Sequence, residues 1–284
     1  MSDLPIRQLT VTAVERLSPR MVRVTFALPP GGFALDGPDQ QVKLYFPRPG
    51  QDRPELPVPA PGQDLMSWYR ACQAVPEPLR PWMRSFTLRA HDAELHTVDV
   101  DFVLHPESPG PAAAWAAQAR PGQLLTMFGP SAAFARPFPL DGADWLLFAA
   151  DESALPALGT LVEALPAGAR AIAYVEVAGP EERQPLLGFG ELTVHWLYRG
   201  VSAPGSLLVA AVRSAQLPDG VGRAWLGGEA GTVRALRRHL LADGRLDRAD
   251  IDFTGYWRHR LTQDDAPTAE DLADARELSA RRIP

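Results

Sequence analysis

The chain has 284 residues, with 28 Lys and Arg against 34 Asp and Glu, a formal net charge of −6 and a pI near 5.5. An acidic balance excludes a general nucleic-acid binder, which needs cationic surface against phosphate. The single cysteine, Cys72, excludes an intramolecular disulfide, a four-thiolate zinc site and a cysteine-ligated iron–sulfur cluster within one chain.

Hydrophobic residues at 46% suffice for a buried core, and 29 prolines favour short strands and turns over a long helical bundle. Residues 7–16, 20–28, 41–46, 84–91, 94–104 and 124–129 alternate apolar and polar side chains between Pro, Gly and Asp. This period of two predicts six strands and a small antiparallel β-barrel. Residues 47–63 are a Pro-rich excursion, and 64–82 have room for one short helix.

The pattern changes near residue 140. WLLFAA at 145–150 is a continuous apolar run, the mark of a strand buried on both faces. A helix follows from Ser153 to about Leu165. Strands at 171–177, 192–198, 223–228 and 251–257 then alternate with helices at about 205–216 and 231–242. This alternation predicts an α/β domain with a doubly wound parallel sheet. Residues 268–282 read as an amphipathic tail helix, acidic early and Arg-rich late, in keeping with its dipole. The expected division is a barrel over 1–138 and an α/β domain over 139–284, joined within the Pro- and Gly-containing segment 136–144. The longest apolar runs are too short to cross a bilayer, and residues 1–16 contain no apolar leader, so a soluble, cytoplasmic protein is expected.

Several segments could carry chemistry. In RSFTLR (84–89), Arg84 and Arg89 flank Phe86 and Thr87. A guanidinium suits a pyrophosphate, an aromatic ring suits stacking on an isoalloxazine, and a hydroxyl suits a ring edge. The same hexapeptide also reads as an ordinary barrel strand. DFVLH (101–105) leads into a turn and a short Ala-rich helix starting near Ala112; its first N–H groups could meet a phosphate, or it could be a plain crossover. Ser153 is a plausible N-cap with Pro156 in the first turn, but no GxGxxG is present. Glu176 at a strand end could bond ribose hydroxyls or simply be solvated. Gly227 and Gly228 would admit a ligand close to the backbone, with Glu229 facing the same crevice. The histidines at 91, 96, 105, 195, 239 and 259 are scattered and suggest no metal site.

Taken in order, these features resemble the siderophore-interacting proteins, flavin-dependent ferric-siderophore reductases related to ferredoxin reductases. The family's Arg-x-Tyr-Thr-x-Arg is RSFTLR here, Asp-Phe-Val-x-His is DFVLH, and Gly-Pro-Ala-Ser-x-Trp-Ala is GPAAAWA. Gly-Asp-Glu-Thr-Ala-Leu-Pro-Ala is AADESALPAL, Gly-Glu after a tryptophan is WLGGE, and Gly-Tyr-Trp-Arg is GYWR (255–258). The resemblance implies a six-stranded FAD-binding barrel, a nicotinamide-binding sheet, and NADH or NADPH as donor. It implies cofactor contacts from Arg84, Ser85, Phe86, Thr87, Arg89, Asp101, Phe102, Val103, His105, Ala112, Ala113, Ala114 and Trp115. In the second domain the implied contacts are Asp151, Glu152, Ser153, Glu176, Glu229, Tyr256 and Trp257. Two positions depart from the pattern: Phe86 stands for the family tyrosine and Ala113 for its serine. At roughly 0.5–1.5 kcal/mol per hydrogen bond, losing both would weaken FAD binding about tenfold.

Hydride would pass from nicotinamide to flavin, and single electrons from flavin to iron. Reduction to the softer ferrous ion weakens its bonds to catecholate or hydroxamate oxygens. Many ferric siderophores are anionic, and Lys43, Arg136 and Arg258 are the candidate basic rim, led by Lys43 because QVKLYF itself resembles the family's third strand; any one of them could instead be a surface charge or an ion-pair partner, Arg136 equally so. Ferredoxin is a further implied donor, while Glu176 leans the nicotinamide choice toward NADH. Two alternatives stand beside this reading: a general flavin reductase or diaphorase with a non-iron acceptor, and a degenerate, non-catalytic protein that binds a siderophore or partner.

Overall fold

The computed structural model describes residues 4–29, 33, 35–105, 110–131, 138–262 and 264–280. Period-two alternation builds the first sheet from β1 (Ile6–Ser18), β2 (Met21–Ala27), β3 (Gln41–Phe46), β4 (Trp82–Thr87), β5 (Ala90–Asp92), β6 (Thr97–Val103) and β7 (Leu124–Phe128). Inward-facing residues form one core: Leu9 and Val11, Val22, Val24 and Phe26, Val42, Leu44 and Phe46, Val98, Val100 and Phe102, Leu125 and Met127. On the outer face of β3 and β7, Tyr45 and Phe128 receive Trp68 and Cys72. These lie one turn apart on helix α1 (Leu65–Ala74), whose N-cap is Asp64. The Trp68 indole donates to the Pro57 carbonyl at 2.8 Å and so ties down the Pro-rich excursion.

The expected six-stranded antiparallel barrel is corrected to a curled, open sheet of seven strands, in the order β4-β3-β7-β1-β2-β6-β5. The predicted strand 84–91 is in fact two strands lying at opposite edges. The Leu88 N–H bonds to the Gln40 carbonyl on the β3 side, and the next N–H, that of Arg89, bonds to the Asp99 carbonyl of β6. A continuous apolar–polar pattern cannot show this change of partner, because both halves keep the same alternation.

Helix α2 (Pro111–Ala116) connects β6 to β7. The second sheet is parallel and contains β8 (Trp145–Asp151), β9 (Arg170–Val177), β10 (Glu191–Tyr198), β11 (Gly222–Glu229) and β12 (Ile251–Trp257), in the order β10-β9-β8-β11-β12. All seven residues of central β8 are buried. One face is covered by α3 (Leu155–Glu163), and the other by α4 (Ser206–Arg213) and α5 (Ala230–Ala242). Strand order reverses at β8, the place where open α/β sheets take their ligands.

The tail helix α6 (Ala269–Ala280) has no buried residue and docks on α5 through ion pairs of Arg234 with Asp271 and Asp274 and of Arg237 with Glu277. Among the described residues no helix is long and apolar enough to cross a membrane.

The two sheets meet along a seam. Met21 of β2 packs into the core beneath α3. Glu182, in the turn after β9, is buried and accepts from the Ser18 hydroxyl (2.5 Å) and the Arg20 N–H (3.1 Å). Replacing it leaves two donors unpaired at this seam. Glu182→Ala is therefore expected to destabilise the protein by about 1–3 kcal/mol, read from urea unfolding; an unmoved midpoint would show that the contact carries no stability.

Candidate functional site

A cleft of about 860 Å³ lies between the sheets, within the ~300–1,000 Å³ common for small-molecule sites. Its walls are Arg20, residues 84–87 of β4, Asp101 and Val103 of β6, His105, residues 110–113, Ser153 before α3 and Pro156 in its first turn, and residues 256–262. Because β4 is an edge strand, all four of Arg84, Ser85, Phe86 and Thr87 border this cleft, where simple alternation would send them to opposite faces.

Arg84 is only 8% exposed. Its guanidinium takes the Asp264 carboxylate in a two-pronged grip, at 3.0 and 2.5 Å, from a segment 180 residues later. The Ser85 hydroxyl accepts from the Lys43 ammonium at 2.5 Å, and burial pushes the Lys43 pKa down. Lys43 therefore stands one side chain back from the cleft. Phe86 rests on Phe102, with ring centroids 4.6 Å apart. The Thr87 hydroxyl points at Asp39 Oδ1 (3.4 Å), which also accepts from Tyr256 Oη at 2.7 Å.

Other expected contacts have different occupations. Arg89 leaves the cleft for Glu163 of α3 (2.5 and 3.0 Å) and packs on Gly159. Phe102 is buried in the first core, under Phe86. Trp115 packs on Phe26, Phe46 and Phe102, and Ala114 lies outside the lining, whereas Ala112 and Ala113 are part of it. Asp101 borders the cleft, but its oxygens accept from Arg23 at 2.7 and 2.9 Å. His105 is in the lining, and desolvation lowers its pKa.

Four readings in the second domain need correction. Glu176 is fully buried; it accepts from the Gly205 and Leu208 N–H groups at the start of α4 and from Arg199, so it is not offered to a ribose. Glu152 is likewise committed to Arg199, at 2.6 and 2.9 Å. Ser153 is not the cap of α3, which begins after Ala154; its N–H and hydroxyl both turn back to Asp151. Arg258 borders the cleft but donates to the carbonyls of Thr262, Asp265 and Ala266 and to Asp271. It staples the segment carrying Asp264 and does not present a free cation. Arg136 lies outside the described residues.

Glu229 caps α5; although burial opposes it, N–H bonds from Gly231, Thr232 and His259 hold its pKa below the usual carboxylate range. Arg20, His259 and Arg260 line the cleft without having been singled out. The run Arg258–His259–Arg260 directly after GYW was the signal available for the last two.

This architecture, a curled antiparallel sheet and a parallel sheet with an arginine-bearing cleft between them, defines a class of fold shared with the ferredoxin reductase in carbazole 1,9a-dioxygenase, which superposes with a TM-score of 0.56 at 15% sequence identity, covering 90% of this chain and 70% of that one. Residues 10–134 match the siderophore-interacting FAD-binding domain, and residues 143–260 match the siderophore-interacting protein model. The chain belongs to the siderophore-interacting protein family. It is 34% identical to a siderophore utilization protein from T. fusca, whose crystal structure superposes with a TM-score of 0.77, covering 93% of this chain and 97% of that one. It is 31% identical to the NADPH-dependent ferric-chelate reductase of Escherichia coli, over 90% of this chain and 94% of that protein. It is 30% identical to the ferric vibriobactin reductase of Vibrio cholerae, over 80% and 79%.

Asp151 is 4% exposed, and burial pushes its pKa up to about 6, above the ~3.9 of an unfolded aspartate. Between about pH 4 and 6 the folded chain thus holds a proton that the unfolded chain has released, so this group's contribution to stability falls as pH rises through that window. Stability measured against Asp151→Asn from pH 4 to 7.5 is expected to decline by on the order of 3 kcal/mol for the wild type and then level off; a rise would show that hydrogen bonding to the carboxylate outweighs its desolvation.

Proposed function

We propose that this chain is an FAD-dependent ferric-siderophore reductase that draws electrons from NADH or NADPH, with residues 1–138 holding FAD and 139–284 the nicotinamide. The observation that carries the reading is the Asp264 carboxylate on Arg84. A buried guanidinium fork at the edge of the cleft is held in two-pronged geometry by an oxyanion, the geometry that suits a pyrophosphate. Asp264 is the protein's own stand-in for that group and would yield the fork to it.

The remaining residues fit the rest of the cofactor. Phe86, supported from below by Phe102, offers an apolar ring face, Val103 adds apolar wall, and Ser85 and Thr87 offer hydroxyls at the strand edge. Phe86 lacks the phenol of the family tyrosine and Ala113 lacks a hydroxyl, so ring contact and the Arg84 fork carry more of the binding. FAD, when bound, supplies a two-electron acceptor for hydride that can release electrons singly to a ferric chelate. The protein's own part is to hold these groups, exclude water and guide an anionic chelate. Arg20, His259 and Arg260 at the cleft, with Lys43 behind Ser85, are the proposed basic rim. Ligation of iron by the protein is unnecessary, since the metal arrives and is reduced within its chelator. A nicotinamide donor supports a cytoplasmic location for the reaction.

Protein reconstituted with FAD is expected to show flavin absorption that bleaches under NADH or NADPH without oxygen. Adding a ferric catecholate or hydroxamate should then restore the flavin bands and develop ferrous-trap colour. Arg84→Ala should weaken FAD binding about 10–100-fold, and Phe86→Tyr should tighten it by less than tenfold, both read by titration. A wild-type protein that stays colourless after FAD addition would overturn the proposal; bleaching without iron reduction would restrict it to a flavin reductase.

A further inference from the structure

The fork of Arg84 is occupied from far along the chain. Arg84 is 8% exposed, whereas the Asp264 side chain that accepts from it is 57% exposed. A carboxylate so open to water is not kept in place by its own packing. Its position depends on how the segment that carries it is held.

That segment is fastened by charge. Arg258, directly after β12, donates to the carbonyls of Thr262, Asp265 and Ala266 and to Asp271 Oδ2 (3.0 Å). The Asp265 carboxylate closes the turn, accepting from the Thr262 N–H (2.6 Å) and hydroxyl (2.8 Å). Asp271, in α6, also takes the Arg234 guanidinium of α5 at 3.1 Å, and Asp274 takes it at 3.0 Å. Burial opposes the charge of Asp271, yet Thr268, Arg234 and Arg258 together hold its pKa down to about 2. Of the two leucines of α6, Leu278 packs against the core beside α5 and Leu272 is exposed. Polar contacts therefore run unbroken from Arg234, through Asp271 and Arg258, to the turn that holds Asp264 on Arg84.

We infer that α6 and the turn before it form an autoinhibitory latch: docking of α6 on Arg234 keeps the Asp264 carboxylate on the Arg84 fork, and a pyrophosphate gains the fork only when that carboxylate leaves. The latch rests on the proposed FAD reading and goes beyond it, because it makes cofactor retention a property of the tail. Two oxyanions cannot share one two-pronged site. The apparent dissociation constant for FAD is then the intrinsic one divided by the fraction of molecules whose fork is free. The coupling is reciprocal, so a bound pyrophosphate loosens the tail by the factor with which the tail weakens binding. A charge-assisted, two-pronged contact with one exposed partner corresponds to about three- to tenfold in that fraction. Because the tail is docked by ion pairs at partly exposed groups, the factor shrinks as ionic strength rises.

Asp264→Ala removes both oxygens from the fork at an exposed position, where substitution leaves the fold intact. FAD titrated into the cofactor-free full chain is expected to bind this variant about three- to tenfold tighter than the wild type. The ratio of the two dissociation constants should fall between about 0.05 and 0.5 M salt. Arg234→Ala, which releases α6 without touching the cleft, should tighten binding in the same direction by a smaller factor. In an Arg84→Ala background Asp264→Ala should change nothing, because the latch has nothing left to hold. Hydrogen exchange over Asp264–Thr268 should be faster in cofactor-free Asp264→Ala than in the wild type, and FAD should speed it in the wild type.

An unchanged dissociation constant in Asp264→Ala, beside weakened binding in Arg84→Ala, would overturn the latch and leave the FAD reading standing. Equal tightening by Asp264→Ala in both backgrounds would also overturn it, since plain repulsion of an anionic ligand would then be the cause. Unchanged affinity in Arg234→Ala would remove α6 from the device. Failure of the wild type and every variant to bind FAD would instead sink the function proposed above, and the latch with it.

Discussion

Asp39 sits where three elements meet. Its N–H donates to the Thr160 hydroxyl of α3 at 2.9 Å, and its carboxylate receives the Tyr256 phenol after the β12 bulge and the Thr87 hydroxyl of β4. Through this one buried residue β4, the first helix of the parallel domain and the last strand of that domain are fixed to one another. The cleft exists because these elements are held apart at a set spacing. The Arg89–Glu163 pair and the buried Glu182 hold the same seam at other points. Unlike a broad apolar interface, such a seam fixes orientation, because each bond tolerates only a narrow range of distance and angle.

The electrostatics of the cleft run against those of the whole chain. The formal net charge is −6, yet Arg20 and Arg260 line the cleft, beside Arg84 and Arg258, which are paired with Asp264 and Asp271. Acidic residues close by are answered locally: Asp101 by Arg23, Glu163 by Arg89, Glu152 by Arg199. The pairing is strong enough that Asp101 raises the pKa of Arg23 by its side-chain hydrogen bonds, and Glu152 does the same for Arg199. An approaching anion thus meets a cationic mouth on a protein that would repel it elsewhere.

Much of this could be read from the sequence. β12 was expected at 251–257 and lies there, and β8 to β11 and their helices agree within a few residues, because apolar runs of that kind have few other ways to be buried. The site was legible as a set of segments: β4, the end of β6, the start of α2 and GYW all converge on one cleft. Side-chain occupation was not. Glu176 and Glu152 looked available because Arg199 and the start of α4 are distant in sequence, and Asp264 carried no mark that it would reach Arg84. Competition among buried partners decides which polar group faces a ligand, and it is settled only in three dimensions. The split of 84–91 into β4 and β5 was hidden for the same reason.

That split gives the antiparallel sheet an unusual closure. Its two edges are not zipped together by a ladder; they are bridged by one short stretch of backbone, Leu88–Arg89, immediately after the four residues that border the cleft. A cofactor gripped by β4 is therefore gripped at the clasp of the whole sheet. A ligand bound there would stabilise the folded sheet together with the cleft, by an amount set by its concentration relative to its dissociation constant.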